Sequence, residues 1–179
     1  MFITTVMTFG KWAKSLFTWL EHIKKGAIAA IPQNKKEEPQ NNLEAFEKLL
    51  SHKLPASYIN FLKQKSVFPT LEYACDVYSS APFPQKLYSF VIYTFFNIRK
   101  SPKYNLYYNW VYYKNLLKNK YLPIACDAFG NIMAMDLDNY HIYFFQFDSQ
   151  NPKKEANVYF VAESFEEFLN LIYRKRSFI

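Results

Sequence analysis

The sequence predicts an α+β domain in which an antiparallel-dominated sheet carries helices packed on one face, preceded by an amphipathic helical extension. Three observations predict it. Two helix-start signals follow one another near residues 41 and 55, short apolar runs separated by turn residues fill 121 to 147, and a capping box opens an amphipathic helix at Ser164. Helices at both ends of a run of strands joined by tight turns give antiparallel pairing covered by helices.

The elements follow in chain order. From Phe9 to Ile23 the apolar residues Phe9, Trp12, Leu16, Leu20 and Ile23 recur every three or four positions, with Lys11, Lys14, His22 and Lys25 opposite, which predicts an amphipathic helix. Residues 1–31 are therefore read as an extension. Residues 32–41 are polar, aperiodic and bounded by Pro32 and Pro39, and read as a linker; residues 42–179 form the main domain. Asn41 with Glu44 three residues on predicts a capped helix burying Leu43, Phe46 and Leu50. Leu54-Pro55 opens a second helix, because proline suits the first helical position, with Tyr58, Phe61 and Leu62 inward.

Phe68 to Ile98 is aromatic and β-branched but broken by prolines, and reads as strands. Asn105 caps a third helix whose inward face is Leu106, Trp110, Tyr113 and Leu117, leaving Tyr107, Tyr108 and Tyr112 as exposed residues. Tyr121 to Ala125 and Ile132 to Leu137 flank the turn residues 127–131 and form a hairpin; His141 to Phe147 adds a third strand after the turn at Asp138-Asn139. Val158 to Ala162 is a further strand. Ser164 and Glu167 then open a closing helix with Phe165, Phe168, Leu169 and Ile172 on one side.

Composition bounds the function. The 179 residues are 50% hydrophobic and 20% aromatic, which excludes wholesale disorder and suits one domain. Only Gly10, Gly26 and Gly130 occur, too few and too scattered for a P-loop or a dinucleotide fingerprint. His22, His52 and His141 lack metal-ligand spacing, and Cys75 and Cys126 match no disulfide or zinc pattern, so the expectation is no metal, no cofactor and a reducing, cytoplasmic location. Neither a secretory signal nor an apolar stretch long enough to span a bilayer is visible. Cys126 beside Asp127, with His141 further on, is better read as a buried hydrophobe than as a nucleophile, and Glu163, Glu166 and Glu167 as carboxylates placed at a helix N-terminus.

Phe46, Leu54-Pro55 with Tyr58 and Phe61-Leu62, the segment Leu122-Pro-Ile-Ala-Cys-Asp-Ala-Phe-Gly-Asn131, an aromatic strand, and Val161-Ala-Glu-Ser-Phe-Glu-Glu-Phe-Leu169 occur in that order. From about Leu43 to Ile172 the chain resembles the SUKH superfamily in its SMI/KNR-like branch. The resemblance implies a mixed fold that presents a surface to another protein without catalysis, in bacteria commonly as an immunity protein that neutralises a toxin. It departs from the family at Lys63-Gln-Lys-Ser-Val-Phe-Pro69, where an Asn-Gly-Gly-like turn is common. Residues 1–41 lie outside it.

Gly130 and Asn131 suit the positive φ of a tight turn, and Asp127 can bond its own turn backbone, a structural role first. A protein partner, with a cognate toxin as the leading reading, is assigned to Asp127, Asp136 and Asp138 together with Tyr107, Tyr108 and Tyr112. Two other classes compete. The segment 86–121 combines seven cations, twelve aromatic residues and no carboxylate, a composition that suits single-stranded nucleic acid. Residues 9–23, with Trp12 and Trp19, suit weak peripheral contact with an anionic membrane, as in a regulatory or scaffold module. The oligomeric state is not fixed by the sequence.

Overall fold

The computed structural model describes residues 42–64, 73–79, 85–98, 104–147 and 155–174. The expected N-terminal helix 9–23 and linker 32–41 lie outside the described residues.

Helix α1, Leu43–Leu50, is capped by Asn42 rather than Asn41: its side-chain oxygen accepts from the Glu44 and Ala45 amides at 3.0 and 3.2 Å. The helix ends on Ser51, held left-handed at φ 57. Glu47, although buried, is matched on both oxygens, by the Leu54 amide at 2.8 Å and the Lys53 ammonium at 3.1 Å, and so fixes the link to α2, Ala56–Lys63. Pro55 stands at the N-cap of α2, with φ -58 and ψ 143, one residue before the first helical position expected for it.

Eight strands follow among the described residues: β1 Tyr73–Tyr78, β2 Lys86–Val91, β3 Thr94–Phe95, β4 Tyr121–Cys126, β5 Ile132–Asp136, β6 Ile142–Gln146, β7 Asn157–Ala162 and β8 Tyr173–Arg174. Helix α3, Leu106–Tyr113, lies between β3 and β4, and α4, Phe165–Leu171, between β7 and β8. All strand pairs are antiparallel, and the chain is α+β.

The pairing divides into two sheets, ordered β2-β1-β8 and β3-β4-β5-β6-β7. The division has a local cause at Ile92 and Tyr93. The Ile92 amide bonds Tyr73 in the first sheet at 3.0 Å and the Tyr93 amide bonds Cys126 in the second at 2.9 Å, so one extended stretch changes partners between adjacent residues.

Aromatic rings fill the layers between elements. Tyr88 and Phe90 of the small sheet meet Phe144 of the large one, at 5.2 Å stacked and 5.6 Å edge-on, and β1 lies against β7. Phe61 of α2 and Phe168 of α4 both meet Phe95, while Tyr58 meets Phe165. Phe46 of α1 packs edge-on against Tyr107 and Trp110 of α3. Phe46, Tyr58, Phe90, Phe144, Phe165 and Phe168 are all buried, so the core rests on aromatic area.

Candidate functional site

Alternation along β6 and β7 sorts their side chains onto two sides. Phe144 pairs with Tyr159 on the side covered by Tyr88 and Phe90. On the other side Tyr143 pairs with Phe160 and Phe145 with Val158, joined by Tyr121 of β4, whose ring lies 5.5 Å from Tyr143 and 4.9 Å from Phe145. The row continues through Phe160 to His141, at 5.6 Å.

This second side is open along β7, while Phe145 beneath it is buried. Val158 and Phe160 are 46% and 47% exposed, and Leu116, in the turn after α3, is 53% exposed. Contiguous exposed apolar groups rimmed by charge mark an interaction surface. Its deepest part is a groove of about 380 Å³ walled by Leu116, Leu117, Tyr121, Phe145, Phe147 and Val158. Lys118 and Glu155 also line it and form an ion pair of 3.3 Å, both side chains being mostly in solvent.

Beyond the groove, Lys120 bonds buried Asp136 at 3.0 Å and lies 3.8 Å from exposed Asp138. The Asp136 carboxylate pushes the Lys120 ammonium up from its ordinary value, and burial pushes the Tyr121 phenol up. His52, from the α1–α2 link, stands 3.6 Å from Asp138, and the Tyr140 hydroxyl donates to the Lys53 carbonyl, so the β5–β6 turn is tied to that link.

The residues assigned to a partner from the sequence are not brought together. Tyr107 and Tyr108 are buried, Tyr107 with its ring against Phe46 of α1 and Tyr108 with its ring against Tyr107, and Tyr112 is half-buried. Of the expected inward face, Leu106, Tyr113 and Leu117 are buried and Trp110 only half so. Asp127 and Asp136 are buried as well; only Asp138 is exposed.

Asp127 organises the β4–β5 turn. One carboxylate oxygen accepts from the Phe129 and Asn131 amides at 2.8 and 2.9 Å; the other accepts from the Tyr88 hydroxyl at 2.7 Å and the Asn131 side-chain amide at 2.8 Å. Burial pushes its carboxyl above the usual range, opposed by these bonds. Gly130 adopts φ 87, as the turn reading requires. Asn131 does not share that conformation; its side-chain oxygen accepts from the Phe147 amide at 3.0 Å and fastens the turn to the end of β6. Phe129, at the tip, is 69% exposed.

Cys126, Asp127 and His141 do not converge. Cys126 is buried beside Ile132 at one end of β5, while His141 lies beyond its other end. Among the described residues no three His, Cys, Asp or Glu side chains gather as metal ligands, and no helix is long and apolar enough to cross a membrane. Ser164 caps α4 by accepting from the Glu167 amide at 3.1 Å, and the Glu167 carboxylate accepts from the Glu163 amide at 2.6 Å, so the Glu167 carboxylate serves the helix start.

Leu116, Lys118, Glu155, Val158 and Phe160 carry the open face, and the sequence reading assigned none of them to a protein partner. The available signal was the run Val158-Tyr-Phe-Val-Ala162, apolar at every position where a half-exposed strand ordinarily alternates with polar residues.

Comparison with known proteins gives a family and a relative that matches over a short stretch. A 57-residue stretch is 37% identical to the SPbeta prophage-derived uncharacterized protein YokK of Bacillus subtilis (strain 168), covering 32% of this chain and 29% of that protein's length. No solved structure matches the chain. The model of the SMI1 / KNR4 family (SUKH-1) matches residues 39–171, which hold strands β1 to β7, the hairpin turn and all four described helices. The chain therefore belongs to the SMI1 / KNR4 family (SUKH-1).

Proposed function

We propose that this chain is a non-enzymatic, cytoplasmic protein-binding domain that neutralises a cognate toxin, and that the open aromatic face of the large sheet receives that toxin. The observation that carries this reading is the row His141, Phe160, Tyr143 and Tyr121, backed by buried Phe145 and continued by Val158 and Leu116, on an antiparallel sheet. Aromatic and branched groups on a fixed scaffold bury apolar area with little loss of conformational freedom, the usual source of affinity between proteins. Family membership supports the same class of function, since SUKH domains commonly serve as immunity proteins.

The acidic part of the sequence-level assignment is retained only at Asp138, which is exposed at the β5–β6 turn. Single-stranded nucleic acid receives less support. Of the cations in 86–121, Lys86 is paired with Asp76 at 2.9 Å, Lys118 with Glu155, Lys120 with Asp136, and Lys114 lies over the Trp110 ring at 5.3 Å. Phosphate binding would have to break the carboxylate pairs that hold Lys86 and Lys120.

Co-expression with the toxin encoded beside the gene tests the proposal. The wild-type chain restores growth and co-elutes with the toxin on gel filtration, whereas Phe160→Asp lowers the affinity at least about tenfold, as loss of a central aromatic anchor does. If wild-type protein neither protects nor co-elutes, the immunity reading is wrong.

A further inference from the structure

Lys118 and Asn119 lie in succession in the left-handed region, with φ 55 and 56. Asparagine tolerates that conformation; a lysine adopts it only when its surroundings impose it. The imposing contacts are the Asn119 amide on the Lys114 carbonyl at 2.6 Å, the Lys120 amide on the Leu117 carbonyl at 3.1 Å, and the Leu137 amide on the Lys120 carbonyl at 3.0 Å. Together they hold a strained wall that sets the Lys118 ammonium at the mouth of the apolar groove.

The wall from Lys114 to Lys120 carries three lysines and no carboxylate. Lys120 is committed to buried Asp136, and Lys114 lies over Trp110. Lys118 instead meets Glu155 across the groove, in a solvent-exposed pair of a kind that adds little stability and is readily exchanged. An incoming carboxylate delivered with an apolar group would be held at the same ammonium by the burial of that group, an anchorage that Glu155 lacks.

We infer that the groove takes an apolar, aromatic-sized side chain of a protein partner with a carboxylate beside it, and that this carboxylate displaces Glu155 from Lys118. This rests on the protein-binding reading of the open face and names the chemistry of its ligand.

The test uses 8-anilinonaphthalene-1-sulfonate, an aromatic anion, with the tetrapeptides Gly-Phe-Asp-Gly and Gly-Phe-Lys-Gly as competitors. The dye binds the full chain saturably, and the acidic peptide competes better than the basic one. Glu155→Gln, which frees Lys118, tightens dye binding by about threefold to tenfold and Lys118→Ala weakens it by a similar factor, the range for one rim charge. Val158→Asp abolishes binding. Lys118→Gly weakens binding like Lys118→Ala but leaves the thermal midpoint unchanged or higher, because glycine relieves the left-handed strain.

Equal dye binding by wild type, Lys118→Ala and Val158→Asp overturns the inference. So does concentration-dependent self-association abolished by Val158→Asp, which would mean that a second copy fills the groove. Toxin protection that survives both Lys118→Ala and Val158→Asp also overturns it while sparing the protein-binding reading. Conversely, a wild-type chain that binds dye as described but gives no protection sinks only the toxin reading.

Discussion

The Tyr58 hydroxyl has no hydrogen-bond partner among the described residues, although the side chain is wholly buried between Phe61 and Phe165. Burial pushes its phenol far above the ordinary range, and what it contributes to stability is ring area alone. An unmatched buried hydroxyl costs roughly 1 to 3 kcal/mol, so Tyr58→Phe is expected to raise the unfolding free energy by about 1 kcal/mol in urea titrations. A loss of similar size would mean that the hydroxyl is satisfied in solution, and the account of this residue would fail. Asp127 is the opposite case, a buried charge with four donors. Two of its donors, the Phe129 and Asn131 amides, were legible in the sequence because they belong to the turn itself. Tyr88, 39 residues away, was not, since no local pattern records which strand will lie over a hairpin.

Three caps show how far local chemistry reaches. Asn42 and Ser164 cap α1 and α4 at exposed bonds, whereas Asn105 caps α3 while buried, accepting from the Tyr107 amide at 2.9 Å and the Tyr108 amide at 3.4 Å. Replacement by alanine at Asn42 or Ser164 leaves the freed amides to water and is expected to cost about 1 kcal/mol. At Asn105 the same change strands buried donors and is expected to cost about 2 kcal/mol or more. Urea titration of the three variants checks the order, and an equal cost at all three would contradict it. Asn105, Ser164, Pro55 and the 127–131 turn were legible because each acts on its own backbone. The fate of α3 was not: periodicity identifies one buried face, but this helix also packs Tyr107 against Phe46, and Tyr108, whose ring meets Tyr107, is buried as well. The open face escaped for the converse reason. A strand apolar at every position does not say which of its two sides will be covered, and here the Tyr159 side is covered while Val158 and Phe160 stay in solvent.

At the scale of the whole molecule, two aspartates brace the small sheet with carboxyl pKa values shifted in opposite directions. Asp76 ties its three strands together, accepting from the Lys86 ammonium at 2.9 Å, the Ser89 hydroxyl at 2.9 Å and the Tyr173 hydroxyl at 2.7 Å. Its partial burial acts to raise the carboxyl, but the bonds from Lys86, Tyr173 and Ser89 outweigh that and hold it below its ordinary value. Asp127, reached by Tyr88 from β2, joins that sheet to the large one, and there burial prevails and the carboxyl is raised. A lowered carboxyl contributes stability that is present above the unfolded value of about 3.9 and is lost as pH falls through the folded value. A raised carboxyl contributes proton-linked stability that is fully present below about 3.9 and is lost as pH rises through its folded value. On acidification from neutrality Asp127 therefore takes up its proton first and offsets part of the loss, and Asp76 follows at lower pH with a loss of its own. Unfolding free energies measured by urea from neutral pH down through the carboxylate range are expected to show a steeper net fall for Asp127→Asn than for wild type. They are expected to show a shallower fall below about 3.9 for Asp76→Asn, where the lowered group no longer titrates. Asp127→Asn also lowers stability throughout by about 1 to 3 kcal/mol, since the amide cannot accept every bond that the carboxylate accepts. The comparison therefore rests on slopes, and an Asp76→Asn curve parallel to wild type through the acid limb would remove Asp76 as the brace of the small sheet.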